Sequence, residues 1–106
     1  MKVESIEQFQ AIIDKEKELL FFKNSLTCPI SQKAFQEFQS FVKDHPNLPA
    51  YYLHVQEARE LSNYIADFFQ VKHESPQVLF INEQVVCWHM SHWNITYQEL
   101  ENKLAK

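Results

Sequence analysis

The stretch FFKNSLTCPISQKAF, residues 21 to 35, decides how this chain folds. An apolar run gives way to a few polar residues, then Cys28 and Pro29 follow, and Ser31 stands three positions after the Cys. Proline has a backbone angle suited to the first turn of a helix. The stretch therefore predicts a strand that leads through a short loop into a helix starting at Pro29, with Cys28 at or beside the N-cap.

Helices and strands alternate on both sides of this stretch. Capping boxes at Ser5 and at Thr96 mark two helix starts, and apolar residues at helical or strand spacing mark the other elements. The predicted helices are 5–15, 28–44, 57–69 and a closing helix from Thr96 to Leu104, and the predicted strands are 18–23, 50–55, 74–81 and 85–90. The first two strands should be parallel and the last two a hairpin. We expect one domain, 1–106, of the α/β class, with a four-stranded mixed sheet flanked by helices.

Composition and charge exclude several classes of function. The chain has 106 residues, of which 45% are hydrophobic, and a net charge of −4, so it lacks the basic face that nucleic acid requires. No apolar run approaches the ~20 residues of a membrane span, and we see no signal peptide. Two cysteines are too few for a disulfide scaffold, which favours a reducing cytoplasm.

The chain contains no glycine. Gly-rich phosphate loops are therefore excluded, and tight turns are expected to use Asn, Asp, Pro or Ser. In the hairpin between the last two strands, we expect Asn82 to take the left-handed conformation that glycine would otherwise supply.

Three segments together carry a resemblance to a known family. TCPIS (27–31), HESPQVLF (73–80) and HMSHWNIT (89–96) occur in this order and resemble the monothiol bacilliredoxins. The resemblance implies a thioredoxin-like fold without the extra N-terminal strand. It also implies a cytoplasmic oxidoreductase that removes the low-molecular-weight thiol bacillithiol from client proteins carrying it as a mixed disulfide. Bacillithiol is then a co-substrate, and no metal or organic cofactor is expected.

The chemistry of a thiol at a helix start supports this interpretation. A thiolate attacks a disulfide, and unpaired N–H groups at a helix N-terminus can lower a cysteine pKa into the range of about 3.5–7.5. Cys28 is therefore the predicted nucleophile, Pro29 preorganises the first turn, and the Ser31 hydroxyl can donate to the sulfur. Because Ser31 replaces a second thiol, a mixed disulfide on Cys28 must wait for an outside thiol to resolve it.

The resemblance also implies a binding site for the substrate. It predicts a cis peptide bond between Ser75 and Pro76 and a Ser75 backbone exposed to pair with the incoming chain. By analogy with glutaredoxin-like proteins, the loop after the last strand binds the anionic part of bacillithiol; the expected substrate contacts are Thr27, Ser75, Pro76, Ser91, His92 and Trp93. Trp93 could instead pack against the closing helix.

Some alternatives remain open at this stage. The chain could be a redox-inert thioredoxin-like binding or stress-response module, or a monothiol glutaredoxin-like carrier of an iron–sulfur cluster. Cys87 could resolve the mixed disulfide, although a residue packed in the sheet is the favoured interpretation. Cys87, His89 and His92 lack a fourth ligand, so no metal site is predicted. His45, His54 and His73 carry no motif and are expected to be surface or strand residues.

Overall fold

The computed structural model describes residues 1–104, and its helices and strands follow the predicted order. The elements are α1 (Ile6–Lys15), β1 (Glu18–Asn24), α2 (Pro29–Asp44), β2 (Ala50–His54), α3 (Arg59–Phe69), β3 (Gln77–Asn82), β4 (Val85–Ser91), a short 3-10 helix (His92–Asn94) and α4 (Tyr97–Leu104). The 3-10 helix was not predicted. Within residues 1–104 no helix has the length and apolar composition that crossing a membrane requires.

The sheet has the strand order β2-β1-β3-β4. As predicted, β1 pairs with β2 in parallel, and β3 and β4 form an antiparallel hairpin. The pairing of β1 with β3 is antiparallel and joins the two halves of the chain. This arrangement confirms the four-stranded mixed sheet and makes β1 and β3 its two central strands.

Each face of the sheet packs against its own pair of helices. On one face the alternate β1 residues Leu19 and Phe21 contact a core built by α1 and α3. On the other face Leu20 and Phe22 contact a core built by α2 and α4. Because both faces are covered, β1 reads as a continuous apolar run rather than an alternating one.

Residues 1–3 run beside the outer edge of β2 without forming a strand. The Val3 N–H donates to the Tyr52 carbonyl at 2.8 Å, and the Tyr52 N–H donates to the Met1 carbonyl at 3.0 Å. Together these bonds make a single parallel bridge, between Lys2 and Tyr52. The expected absence of the extra N-terminal strand is therefore confirmed.

The turn between β3 and β4 differs from the expectation for Asn82. Asn82 is the last residue of β3, and the left-handed conformation of the hairpin turn belongs to Glu83 and Gln84, with φ of 51° and 63°. A two-residue turn that matches the twist of the strands requires positive φ at both central residues. Contacts with α1 and its end hold this turn: the Glu83 N–H donates to the Lys17 carbonyl at 2.7 Å, and Gln84 Nε2 donates to Asp14 Oδ1 at 3.1 Å.

Gln70 and His92 also have positive φ, so the expectation that Asn, Asp, Pro and Ser serve the tight turns was wrong. Gln70 ends α3 in the left-handed conformation at the place where glycine most often ends a helix. Its side chain donates to the Asp67 carbonyl at 2.6 Å, which satisfies one of the free carbonyls of the last turn.

A lysine lies in the buried end of β1. Lys23 has no exposed surface, and its Nζ donates to the Ser62 carbonyl of α3 at 3.0 Å and lies 3.3 Å from His73 Nδ1. Burial lowers the pKa of Lys23 to about 8. The charged form therefore costs folding free energy at neutral pH, although its hydrogen bonds recover part of that cost.

We expect Lys23→Met to raise the free energy of unfolding at pH 7 by about 1–3 kcal/mol. At pH 7 the lysine is charged in both the folded and the unfolded protein, so folding carries the full free-energy cost of burying that charge. As the pH rises from about 8 to 10.5, Lys23 loses its proton in the folded protein before it does in the unfolded one. The cost of burying the charge therefore disappears, and the free energy of unfolding of wild type rises toward that of Lys23→Met. Urea unfolding at both ends of this range measures the effect.

Lys33→Met, at an exposed position of α2, is the matched control and should change stability little at either pH. A Lys23→Met protein that is less stable than wild type at pH 7 would show that the hydrogen bonds of Lys23 outweigh its burial.

Candidate active site

Three distant segments of the chain meet at one end of the sheet. The chain leaves β1 at this end and reaches Cys28, which starts α2. The antiparallel registers set Gln77 opposite Lys23 and Ser91 opposite Gln77. Pro76 and the residues after Ser91 therefore lie at the same end of the sheet as Cys28, which is where the sequence predicted the thiol site.

Cys28 is the half-buried N-cap of α2, and Pro29 is the first helical residue, as predicted. The pKa of the Cys28 thiol is lowered, first by the backbone N–H of Ser31 and then by the N–H of Ile30 and the Ser31 hydroxyl. Partial burial opposes these donors and raises the pKa, but it does not outweigh them. The cause is that free N–H groups of a helix start point at the sulfur and favour its anion.

Ser31 lies in the first turn of α2, and its side chain is completely buried. Its Oγ accepts a hydrogen bond from the Ser25 N–H at 3.3 Å, and its hydroxyl stabilises the Cys28 thiolate. A hydroxyl can accept one hydrogen bond while it donates another, so Ser31 joins the loop before the cysteine to the sulfur itself.

Gln56 holds the loop that carries Cys28, and the sequence offered no motif that would have identified it. The Leu26 N–H donates to Gln56 Oε1 at 3.0 Å, and Gln56 Nε2 donates to Ser25 Oγ at 2.9 Å and to Thr27 Oγ1 at 3.3 Å. Thr27, a predicted substrate contact, is thus exposed beside Cys28 with its hydroxyl tied to Gln56. Only the parallel pairing of β1 with β2 brings Gln56 to this loop.

The peptide bond between Ser75 and Pro76 is cis, as predicted. Pro76 is buried, and its carbonyl accepts a hydrogen bond from the His92 N–H at 3.0 Å, which joins the segment before β3 to the residues after β4. Within residues 1–104 neither the N–H nor the carbonyl of Ser75 has a hydrogen-bond partner. The Ser75 backbone is therefore available to an incoming chain.

The residues after β4 turn sharply at His92, which has a φ of 56°. Its ring Nδ1 lies 3.5 Å from Glu74 Oε1, so Nε2 is the ring nitrogen left to face a ligand, and Nε2 can donate to that ligand when the ring is protonated. Ser91, the last residue of β4, is half-buried. Trp93 is 70% exposed, so the alternative that it packs against the closing helix was wrong. The roles of these residues in binding remain predictions.

Cys87 does not belong to this cluster. It lies in β4 at a bulge, where Phe80 pairs with Trp88 and the next pair joins Ile81 to Val86. Cys87 is a strand residue, as expected, but its side chain is exposed, so the expectation that it is packed was wrong. It precedes Ser91 by four residues, about 13 Å along a strand, whereas a disulfide needs Cα atoms within about 7 Å. Both cysteines are free.

The three histidines without a motif differ in their surroundings. His54 ends β2, and its Nδ1 lies 3.0 Å from Asn24 Nδ2. His45 follows α2 and stacks on Phe41. His73 lies in neither a strand nor a helix and is half-buried, because its ring faces the buried end of Lys23.

Comparison with known proteins assigns the family. The family model described as monothiol bacilliredoxin BrxC matches residues 1–100. The chain belongs to the monothiol bacilliredoxin family. A solved structure described as having a thioredoxin fold and a proposed oxidoreductase role is 38% identical, with 96% of this chain and 90% of that chain covered and a TM-score of 0.90.

More distant structures show the same fold. Thioredoxin from Fasciola hepatica is 12% identical, with 97% of this chain and 94% of that chain covered and a TM-score of 0.79. Thioredoxin from Trypanosoma brucei brucei is 14% identical, with coverage of 100% and 91% and the same TM-score. The fold is therefore the thioredoxin fold, and the bacilliredoxin family places the chain among thiol redox enzymes.

We expect Ser31→Ala to raise the pKa of Cys28 toward its usual value without fully restoring it. The variant loses the smallest of the stabilising contacts and keeps the backbone N–H groups of Ser31 and Ile30. It should also lose about 1 kcal/mol of stability, since the Ser25 N–H loses its acceptor. The pH dependence of thiolate absorbance and of alkylation by iodoacetamide measures the pKa.

Ser40→Ala is the matched control, because Ser40 is an exposed serine of the same helix. It should leave the pKa of Cys28 unchanged. An unchanged pKa in the Ser31→Ala protein would mean that the hydroxyl does not reach the thiolate.

Proposed function

We propose that this bacilliredoxin removes bacillithiol from client proteins that carry it as a mixed disulfide, by monothiol exchange at Cys28. The observation that carries the proposal is the pair of Cys28 and Ser31 at the start of α2. The first turn of the helix lowers the pKa of the only thiol in the motif, and a buried hydroxyl stands where a second thiol would act.

The reaction consists of two exchanges. The Cys28 thiolate attacks the bacillithiol sulfur of the mixed disulfide; a new S–S bond forms, the old one breaks, and the client leaves as a thiolate that takes up a proton. A second bacillithiol, as thiolate, then attacks the bacillithiol sulfur held on Cys28. Oxidised bacillithiol leaves and Cys28 returns as the thiolate. In the net reaction the client regains its thiol, and the bacillithiol it carried forms a disulfide with the incoming bacillithiol.

Ser31 determines that the second thiol comes from solution. A hydroxyl does not displace a thiol from a disulfide, so the Cys28 adduct persists until bacillithiol arrives. Cys87 lies four residues before the site end of β4 and is exposed away from the cluster, which supports a scheme with one working cysteine.

The bacillithiol site in this proposal consists of Cys28, the Ser75 backbone with Pro76, and residues 91–93. The malate part of bacillithiol is anionic, and the chain has a net charge of −4, so the ligand needs local donors. The N-terminus of α2 is one source of donors, the Ser91 hydroxyl is another, and Nε2 of a protonated His92 ring is a third. The exposed ring of Trp93 forms a wall of the site.

The proposal places the protein in the cytoplasm, with bacillithiolated proteins as its partners. Its cysteines are two free thiols, and the nucleophile must be regenerated by a reduced small thiol. A reducing compartment supplies that thiol and keeps Cys28 reduced.

We expect Cys28→Ser to abolish exchange and Cys87→Ser to retain it. Serine is a favoured N-cap residue, so the first variant should keep the fold and its stability within about 0.5 kcal/mol. A client peptide carrying bacillithiol serves as substrate, and intact-mass analysis after oxidised bacillithiol is added counts the adducts. Wild type and Cys87→Ser should each gain one fast adduct, on Cys28.

The outcomes also separate the alternative functions. A Cys28→Ser protein that clears the client at the wild-type rate would exclude Cys28 as the nucleophile. Wild-type protein that forms no adduct and clears no client would favour the redox-inert module. A purified protein with the brown colour of an iron–sulfur cluster would favour the cluster carrier.

We expect His92→Gly and Trp93→Ala to slow bacillithiol exchange selectively. Glycine adopts the positive φ of residue 92 without strain, so the first variant removes the imidazole alone. The expected loss is about 1–2 kcal/mol of transition-state stabilisation, roughly one hydrogen bond to a charged group. Alkylation of Cys28 by neutral iodoacetamide should keep its wild-type rate, since the thiolate is unchanged.

His89→Ala is the control, because His89 is an exposed histidine of β4 outside the cluster. If His92→Gly and Trp93→Ala exchange bacillithiol as fast as His89→Ala, then the loop is structural and the carboxylate binds elsewhere.

A further inference from the structure

A buried polar cluster of Lys23, Ser62 and His73 lies behind the site, and the reaction steps make no use of it. Lys23 Nζ lies 3.3 Å from His73 Nδ1, and Ser62 Oγ lies 3.0 Å from the same nitrogen. Lys23 and Ser62 are both completely buried. Because an ammonium can only donate, Nδ1 must accept, and the His73 ring is neutral with its proton on Nε2.

This cluster anchors a segment that has no regular structure. Residues 70–76 connect α3 to β3. Within them Val71 packs against the hydrophobic core, and the polar ring of His73 lies beside Lys23 of β1 and Ser62 of α3. A hydrogen bond from Gln77 Nε2 to the Lys72 carbonyl at 3.0 Å also holds the segment. His73 is thus the polar side chain that anchors the segment leading to Ser75.

The far end of the segment forms part of the thiol site. The Pro76 carbonyl accepts from the His92 N–H, and the Glu74 carboxylate lies beside the His92 ring. Between this contact and the His73 anchor, the Ser75 backbone keeps its N–H and carbonyl free among residues 1–104. The position of Ser75 is therefore set from both sides, by His73 in the core and by His92 at the surface.

We propose that Lys23 and His73 are positioning residues, which clamp the Ser75 backbone in the place where the incoming mixed disulfide pairs with it and which release it in acid. This inference rests on the proposed function, since the bacillithiolated chain is the substrate that the Ser75 backbone receives. Neither residue touches the reacting sulfur atoms in this scheme.

The acid release follows from the charges around His73. A second proton on His73 would sit on Nδ1 and face the Lys23 ammonium, so two cations would meet at hydrogen-bond distance. Burial first, and then the charges of Lys23 and Arg59, lower the His73 pKa, while Glu74 raises it. As the pH falls through that lowered pKa, the ring becomes charged and the contact with Lys23 is lost.

The other groups around the cluster do not reverse this direction. Arg59 on α3 is a cation at every accessible pH. Glu74, on the segment itself, also has the His92 ring as a partner. Lys23 on β1 loses its proton only above its lowered pKa of about 8, and the neutral amine still donates to Nδ1. The contact between Lys23 and His73, which we call the clamp, is therefore kept in neutral and alkaline solution and lost in acid.

The test compares two rates in the same protein from about pH 8 to about pH 4, a range that extends further into acid than an ordinary histidine needs, because the pKa of His73 is lowered. One is kcat/KM for reduction of a bacillithiolated peptide, and the other is alkylation of Cys28 by iodoacetamide. Their ratio cancels the titration of Cys28. The ratio should fall in acid for wild type and stay level for His73→Asn, since Asn Oδ1 replaces the Nδ1 acceptor but does not titrate.

Two further variants serve as a second test and as a control. Lys23→Met should lower the ratio at neutral pH about tenfold, mainly through KM, because the segment loses its anchor while the thiolate remains. His89→Asn, at an exposed histidine of β4, should keep the wild-type acid fall of the ratio. An acid fall in His73→Asn equal to that of wild type, or a level wild-type ratio, would overturn the clamp.

Hydrogen–deuterium exchange tests the clamp without any substrate. Protection of the His92 amide, whose N–H donates to the Pro76 carbonyl at the end of the segment, should drop in acid in wild type but not in His73→Asn, after correction for the intrinsic pH dependence of exchange. If this difference appears and wild type leaves the bacillithiolated peptide intact, then the clamp stands and the proposed substrate is wrong. If protection does not change with pH, the clamp is wrong whatever the substrate proves to be.

Discussion

The burial of β1 on both faces is the constraint on which the rest of the structure depends. Its residues from Leu19 to Lys23 have no exposed surface, so helices must cover the sheet on both sides. A strand in that position delivers the chain to one end of the sheet, where α2 can start above it. Its neighbours β2 and β3 bring the supporting residues Gln56 and Pro76 to the same end.

The lowered pKa of the Cys28 thiol comes from backbone groups more than from side chains. The N–H of Ser31 makes the largest contribution to lowering the Cys28 pKa, and the hydroxyl of the same residue makes the smallest. A protein with net negative charge can therefore stabilise a thiolate without a basic surface, because the donors are fixed at a helix start. Ser31 adds support to the sulfur while leaving it without a partner thiol.

The sequence by itself determined the order of the elements and the chemistry of the motif. The position of Pro29 after a polar loop identified the start of α2 and placed Cys28 at its N-cap, since proline is favoured at the first helical position. Periodic apolar residues identified the long helices, since burial of one face imposes a spacing, and a continuous apolar run identified β1, which is buried on both faces. The resemblance of three segments identified the family, which the match over residues 1–100 confirmed.

The tertiary structure alone decided which residues support the site. Gln56 belongs to no motif, and the pairing of β1 with β2 brings it to the loop of Cys28. His73 was assigned no role from the sequence, and the fold brings its ring to Lys23. The left-handed conformation of the hairpin turn, assigned to Asn82 from its residue type, belongs to Glu83 and Gln84, because register and contacts with α1 outweigh local preference. A local pattern reports the burial of its own segment, whereas these contacts depend on which segments become neighbours.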